Sequence, residues 1–253
     1  MGILNLTPDS FYNSNNDFNL TFFQKKIDLL KKADMIDVGA ESSKPGSKPI
    51  SEEQEIERLQ ILFKLDLHNK LLSIDSYKPK VIKYCLDNGF AMINDISGGG
   101  NDFINIDIAK DYNVPICLMH MQGNPYTMQD NPSYDNIIDD IVKYFKKRID
   151  YCMKIDYDLS KLIIDPGIGF GKTKEDNYKI ISNICKFKDI GCKVLIGVSR
   201  KSFLQINGNM PEDRLSSSLA VQSICAYKGV DIIRTHDVEE VNDCLKVISN
   251  FIK

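Results

Sequence analysis

The chain has 253 residues, 43% of them hydrophobic and 26% charged, with a formal net charge of −3. Length and composition suit one large α/β domain or two small ones around a real core, and the charge excludes a global basic footprint for nucleic acid. Seven scattered cysteines (Cys85, Cys117, Cys152, Cys185, Cys192, Cys225, Cys244) include no Cys-x-x-Cys pair, which excludes a zinc site of that kind and reads as a reduced, cytoplasmic protein. The first residues carry no basic-then-apolar signal pattern and no apolar run reaches membrane length, so no membrane partner is expected. MGILNL also misses the myristoylation pattern, because Leu6 stands where Ser or Thr is needed.

In chain order, the apolar run MGILN (1–5) leads into a polar loop, NLTPDSFYNSNNDFN (5–19), and then into TFFQKKIDLLKKA (21–33), whose Phe23, Ile27 and Leu30 share a helical face. MIDVGA (35–40) precedes a second polar loop, AESSKPGSKPIS (40–51), and a helix over 51–65 that opens with a capping-box pattern, Ser51 with Gln54. LLSID (71–75) is followed by a helix over 79–89, with Pro79 in its first turn and Gly89 at its end. AMIND (91–95) precedes a weaker helical pattern over 103–112, and PICLMH (115–120) precedes a long amphipathic stretch over 134–155. LIIDP (162–166), VLIGVS (194–199) and DIIRTH (231–236) are followed by helical stretches over 174–189, 213–228 and 239–252. The apolar runs are each too short for a helix, and several are rich in β-branched residues.

Eight strands alternating with helices over this length predict a single α/β domain spanning 1–253, a (β/α)8 TIM barrel. An open doubly wound sheet is the alternative. Polar residues gather at the C-terminal ends of the runs: Asn5, Glu41, Asp75, Asn94, Asp95, His120, Asp165, Ser199 with Arg200 and Lys201, and Arg234 with His236. A barrel collects all of these ends into one mouth, whereas an open sheet spreads them along a crevice. Their convergence favours the barrel, with its ligand site at the C-terminal ends of the strands.

DPGIGFGKT (165–173) ends in Gly-Lys-Thr, as a nucleotide phosphate loop does. That loop needs Gly where Pro166 stands, and the dinucleotide fingerprint needs Gly where Lys172 stands, so both nucleotide readings fail. What remains is Asp165 at the end of an apolar strand, followed by glycines that let the backbone approach a ligand or take positive φ. Asp75 and Asn94 share this strand-end context. Each of the three alone reads equally well as a cap of the following turn. Together in one mouth they suit a flat heterocycle with several donors on one edge, such as a pterin or guanine.

Lys201, Arg200, Arg234 and His236 form a cationic side directly after buried strands, where Arg can hold a phosphate or stack on a ring. His120 reads equally as a satisfied structural histidine, and His68 as surface. Met119, Met121 and Met128 read as pocket lining or, more commonly, core. The two polar loops are candidates to close over substrate.

The segments MGILNLTPDSF, DVGAESSKPG, SIDSYKP, INDISGG, MHMQGNPYTMQ, DPGIGFGKT, GVSRKS and RTHDV, in this order, resemble dihydropteroate synthase over residues 1–238. The resemblance implies a pterin-binding enzyme of folate biosynthesis, a transferase and sulfonamide target. Its substrates are 6-hydroxymethyl-7,8-dihydropterin pyrophosphate and p-aminobenzoate, joined with Mg²⁺ by an SN1-like course. It implies pterin binding by Asp75, Asn94, Asp165, Lys201 and Arg234, and p-aminobenzoate binding by Ser43, Lys44, Pro45 and Ser199. Asn5 falls on the Mg²⁺ and pyrophosphate position. Asn5, Asp9, Lys201, Arg234 and His236 form the implied catalytic set. A homodimer is also implied, and the small residues of LSSSLAVQSICA (215–226) allow close helix packing.

Two departures stand out. ESSKPG replaces the family's common ESTRPG, so Ser43 lacks a methyl and Lys44 offers a point charge in place of a planar fork. The chain also begins directly at strand one, where family members usually have preceding residues. The alternatives are a catalytically silent pterin-binding paralogue and a pterin-binding methyltransferase domain with the same barrel.

Overall fold

The computed structural model describes residues 1–7, 16–43 and 46–252. Its strands are β1 (Gly2–Asn5), β2 (Met35–Gly39), β3 (Leu71–Asp75), β4 (Met92–Asp95), β5 (Ile116–Met119), β6 (Leu162–Asp165), β7 (Lys193–Ile196) and β8 (Ile232–Ile233). They pair in parallel and in sequence order. Thr235 closes the ring onto β1: its N–H donates to the Met1 carbonyl and its carbonyl accepts from the Ile3 N–H, both at 3.0 Å. The fold is therefore the (β/α)8 barrel, and the open-sheet alternative falls. β8 is shorter than the run 231–236 because the chain changes partner there. Arg234 N–H still bonds β7 at Ile196, while Thr235 already bonds Met1.

Between the strands run α1 (Asn16–Leu29), α2 (Glu52–Leu59), α3 (Pro79–Asp87), α4 (Ile104–Asp111), α5 (Ile137–Lys154), α6 (Lys174–Ser182), α7 (Ile184–Lys188), α8 (Leu215–Tyr227) and α9 (Val238–Ile248). The Ser51/Gln54 capping box forms with both of its hydrogen bonds. Two expected helices are interrupted. The stretch 51–65 tightens to a 3₁₀ turn over Gln60–Lys64. The stretch 174–189 breaks at Asn183, whose side chain donates to the Lys179 carbonyl at 2.8 Å and caps α6, the competition with the backbone that asparagine commonly offers. α1 starts and ends earlier than 21–33, and its apolar face continues into the turn, where Leu30 and Ala33 are buried. No helix among the described residues is long and apolar enough to cross a membrane.

Strand side chains alternate between two environments. One set, including Leu4, Ile36, Val38, Ile74, Ile93, Leu118, Ile164 and Ile196, packs outward into the main core with helix residues such as Phe23, Phe145 and Phe187. The other set points into the barrel. There Met92, Cys117, Ile163 and Leu195 form a separate cluster with Met1, Met35 and Ile232. Two residues further along each of these strands stand Asn94, Met119, Asp165, Gly197, Ile3, Asp37 and Arg234. The barrel interior thus has an apolar base and a polar mouth, each supplied by the same alternating column.

Candidate functional site

The mouth is organised by Arg234. Its Nε donates to Asp37 Oδ2 at 2.6 Å and its terminal nitrogen to Asp75 Oδ2 at 2.7 Å. Asn94 Nδ2 donates to the same Asp37 oxygen at 2.9 Å, so its amide nitrogen is committed to Asp37 and its carbonyl oxygen is the side chain's acceptor. Asp75 and Asn94 are register partners across β3 and β4, so their side chains stand side by side. Gly39 makes room for Asp75, since a Cβ there would lie 3.3 Å from its carboxylate. Burial lowers the Arg234 pKa, but Asp37 and Asp75 outweigh it and the net shift is upward. Asp75 itself is pushed up to about 7 by burial, against the downward pull of Arg234 and with a smaller upward push from Asp37.

Asp165 ends β6 on the opposite side. Burial raises its carboxyl, against the pull of Lys201, and the Gly167 N–H donates to it at 2.7 Å. Gly167 has φ of 73°, and a Cβ there would lie 1.9 Å from the His120 carbonyl oxygen, so only glycine fits this turn. Lys201 follows β7. Its Nζ donates to the Ile168 carbonyl and lies 4.6 Å from the Phe170 ring centroid. Burial lowers Lys201 to about 8, although Asp165 opposes the shift.

His236 and Ser199 meet at the rim. Ser199 Oγ lies 3.1 Å from His236 Nδ1 and accepts from the His236 N–H at 3.2 Å. The His236 imidazole is held below its ordinary pKa, first by burial of the ring and then by Arg234, although the residue as a whole keeps an exposed edge. Arg200 does not join the cationic side: it forks onto Asp237, with Nε 3.1 Å from Oδ2 and the second contact to Oδ1. Asp95 is likewise spent on its own turn, accepting from Ser97, Gly99 and Asn105. Asn5 is half-buried at the end of β1. Ser43 lines a small cleft with Asp75, Glu41, Glu55, Ser76 and Tyr77. Asp9, Lys44 and Pro45 lie outside the described residues.

Lys172, from the Gly-Lys-Thr stretch, is only 3% exposed, and its ammonium is taken up by protein groups. It donates to the Phe170 carbonyl at 2.8 Å and to the His120 carbonyl at 3.1 Å, with His120 Nδ1 also at 3.1 Å. Thr173 caps α6 in a box with Asp176. His120 is therefore structural, its imidazole driven down to about 3 by burial and by Lys172. Met119 and Met128 are buried, while Met121 borders an outer pocket beside α5. His68 is exposed beside Asp28 and Asp66.

Asp37 is the mouth residue that the strand-end pattern misses. It sits mid-strand and is fully buried, and its second oxygen has no partner among the described residues. The period of two in MIDVG carries the signal: Ile36 and Val38 face the helices, so Asp37 must face the barrel.

A barrel mouth with buried carboxylates, a buried amide and two cations suits a pterin-binding enzyme. The chain matches the pterin binding enzyme family over residues 1–236 and belongs to it. Within that family it is similar to Escherichia coli (strain K12) dihydropteroate synthase, 38% identical over 98% of this chain and 89% of the relative. The Yersinia pestis dihydropteroate synthase, solved in complex with a sulfonamide drug, superposes with a TM-score of 0.91 at 35% identity, covering 100% of this chain and 93% of that one. The Xanthomonas albilineans dihydropteroate synthase, solved with 4-aminobenzoic acid, gives 0.89 at 31% identity, covering 100% and 92%. The activity is that of a dihydropteroate synthase, a transferase of folate biosynthesis.

Proposed function

We propose that residues 1–253 act as one domain that condenses 6-hydroxymethyl-7,8-dihydropterin pyrophosphate with p-aminobenzoate in the barrel mouth. The observation that carries the assignment of roles is the set of inward acceptors, Asp75, Asn94 and Asp165, with Lys201 and Arg234 between them. Three acceptors match the donor edge of a pterin, and Lys201 suits its carbonyl. Asp75 must release Arg234 to receive the ring. The guanidinium, still tethered to Asp37, is then available to the ring face or to the pyrophosphate.

Bond changes follow from the substrates. The exocyclic C–O bond breaks, the electron pair leaves with pyrophosphate, and the resulting cationic methylene is conjugated with the pterin. The aniline nitrogen then forms the new C–N bond and loses a proton. Because its lone pair is delocalised into the ring, the nucleophile is weak and activation must fall on the leaving group. Arg234 and His236 stabilise the departing charge. Ser43, Lys44, Pro45 and Ser199 are assigned to p-aminobenzoate and Asp9 to the closed site. A site for p-aminobenzoate is also where a sulfonamide would compete.

Mg²⁺ fits the donor set. No group of three or more His, Cys, Asp or Glu forms a metal cage among the described residues, and Asn5 offers a single amide oxygen. That suits an ion held chiefly by its waters and substrate phosphates. When bound, it would neutralise charge on the pyrophosphate. Free cysteines support a cytoplasmic setting, and the exposed Ile224 and Tyr227 of α8 support a homodimer.

The test is pyrophosphate release with Mg²⁺ and the dihydropterin pyrophosphate, with and without p-aminobenzoate. Release coupled to dihydropteroate formation is expected. Pterin binding without release would instead indicate the silent paralogue.

A further inference from the structure

Both stems of the 40–51 segment are held by one buried ammonium. Lys78 lies three residues beyond Asp75, at the start of α3, and is 9% exposed. Its Nζ donates to Glu41 Oε2 at 2.6 Å, to the Ile50 carbonyl at 2.7 Å and to Glu55 Oε2 at 2.8 Å. An ammonium has three donors, and all three are used. Glu41 belongs to the first stem, Ile50 to the second, and Glu55 to the first turn of α2. The stems are also stitched directly, since Ile50 N–H donates to Glu41 Oε2 at 2.8 Å. Arg58 adds a further tie, donating to the Ala40 carbonyl at 2.7 Å.

This arrangement is costly to build. Two carboxylates share one ammonium in a site nearly closed to water, and Glu55 Oε1 has no partner among the described residues. Burial accordingly raises the Glu55 carboxyl, against the pull of Lys78. A stabilising contact alone would be served as well by apolar packing. What the ammonium adds is direction: it joins three separate elements at one point, beside the cleft that Ser43 and Asp75 both line.

We propose that Lys78 is a positioning residue for the p-aminobenzoate half of the reaction, fixing both stems of the 40–51 segment so that Ser43 is presented beside Asp75. The inference rests on the assignment of Ser43 to p-aminobenzoate above. Lys78 touches neither substrate in this role, and the pterin acceptors are held independently of it, Asp75 and Asn94 through Arg234 and Asp37 and Asp165 through the Gly167 N–H.

The experiment compares the wild-type chain, Lys78→Met, Lys78→Arg and the double variant Lys78→Met/Glu55→Gln. The double variant removes the more deeply buried of the two carboxylates that lose Lys78, and thermal unfolding checks that it is folded for the test. Steady-state kinetics with both substrates and Mg²⁺ are measured beside calorimetric binding of the dihydropterin pyrophosphate. Removing Lys78 is expected to raise KM for p-aminobenzoate about tenfold or more while pterin affinity changes less than about twofold, with Lys78→Arg recovering part of the loss. Unchanged KM in the folded double variant overturns the proposal, as does an equal fall in affinity for both substrates. A wild-type chain that binds pterin but releases no pyrophosphate overturns the functional reading and this proposal with it.

Discussion

The base and the mouth of the barrel are built from the same strands, two residues apart, yet they obey opposite rules. Met92, Cys117, Ile163 and Leu195 fill the base with apolar groups. Asn94, Asp165, Asp37 and Arg234, on the same inward columns, bury charge and amide at the mouth. The base gains free energy by excluding water. The mouth spends some of that gain to hold acceptors and cations out of water, where each interacts more strongly with a ligand. The two halves should therefore fail differently when altered.

The largest effect is expected at the mouth. Asp165→Ala should weaken pterin binding by about a hundredfold or more, with the melting temperature nearly unchanged, because it removes a charge-assisted acceptor. Calorimetry beside thermal unfolding checks both halves of that statement, and wild-type affinity would remove Asp165 from the role. Ile163→Ala, two residues earlier, should do the reverse. It should cost about 2–5 kcal/mol of stability through cavity formation while the surviving folded protein keeps its pterin affinity. A large loss of affinity there would show that base and mouth are coupled.

The smallest effect sharpens the comparison through pH. Asp75 is pushed up to about 7 and Lys201 down to about 8. Below about 7 the Asp75 carboxyl carries a proton and loses an acceptor; above about 8 Lys201 loses its charge. Pterin affinity should therefore peak between these limits and fall several-fold on either side. Asp75→Asn should change the acidic limb, leaving it to the raised carboxyl of Asp165, and leave the alkaline one in place. Titration of affinity against pH reads both.

Much of this was legible in the sequence, because strands and helices carry different periods and the strand-end polar residues stand out against apolar runs. The P-loop exclusion also survives: Lys172 turns inward to His120 and Phe170. Three things were not legible in that reading. Asp37 was hidden because attention to strand ends overlooks the alternation within a strand. The hub at Lys78 joins residues 37 and 23 positions away, and no local pattern announces such a contact. The break at Asn183 depends on one side chain competing with the helix backbone.

The turn at Gly167 has a hereditary consequence. Every other residue carries a Cβ, and here that atom would lie 1.9 Å from the His120 carbonyl oxygen at a φ of 73°. Single-base changes in a glycine codon can therefore supply no tolerated neighbour at this position. Gly191 and Gly229, also at positive φ, have nothing within 4 Å of such an atom, and there a lineage faces only backbone strain. Drift can thus pass through the outer turns, while the one beneath Asp165 acts as a fixed point that any diverging descendant must inherit intact.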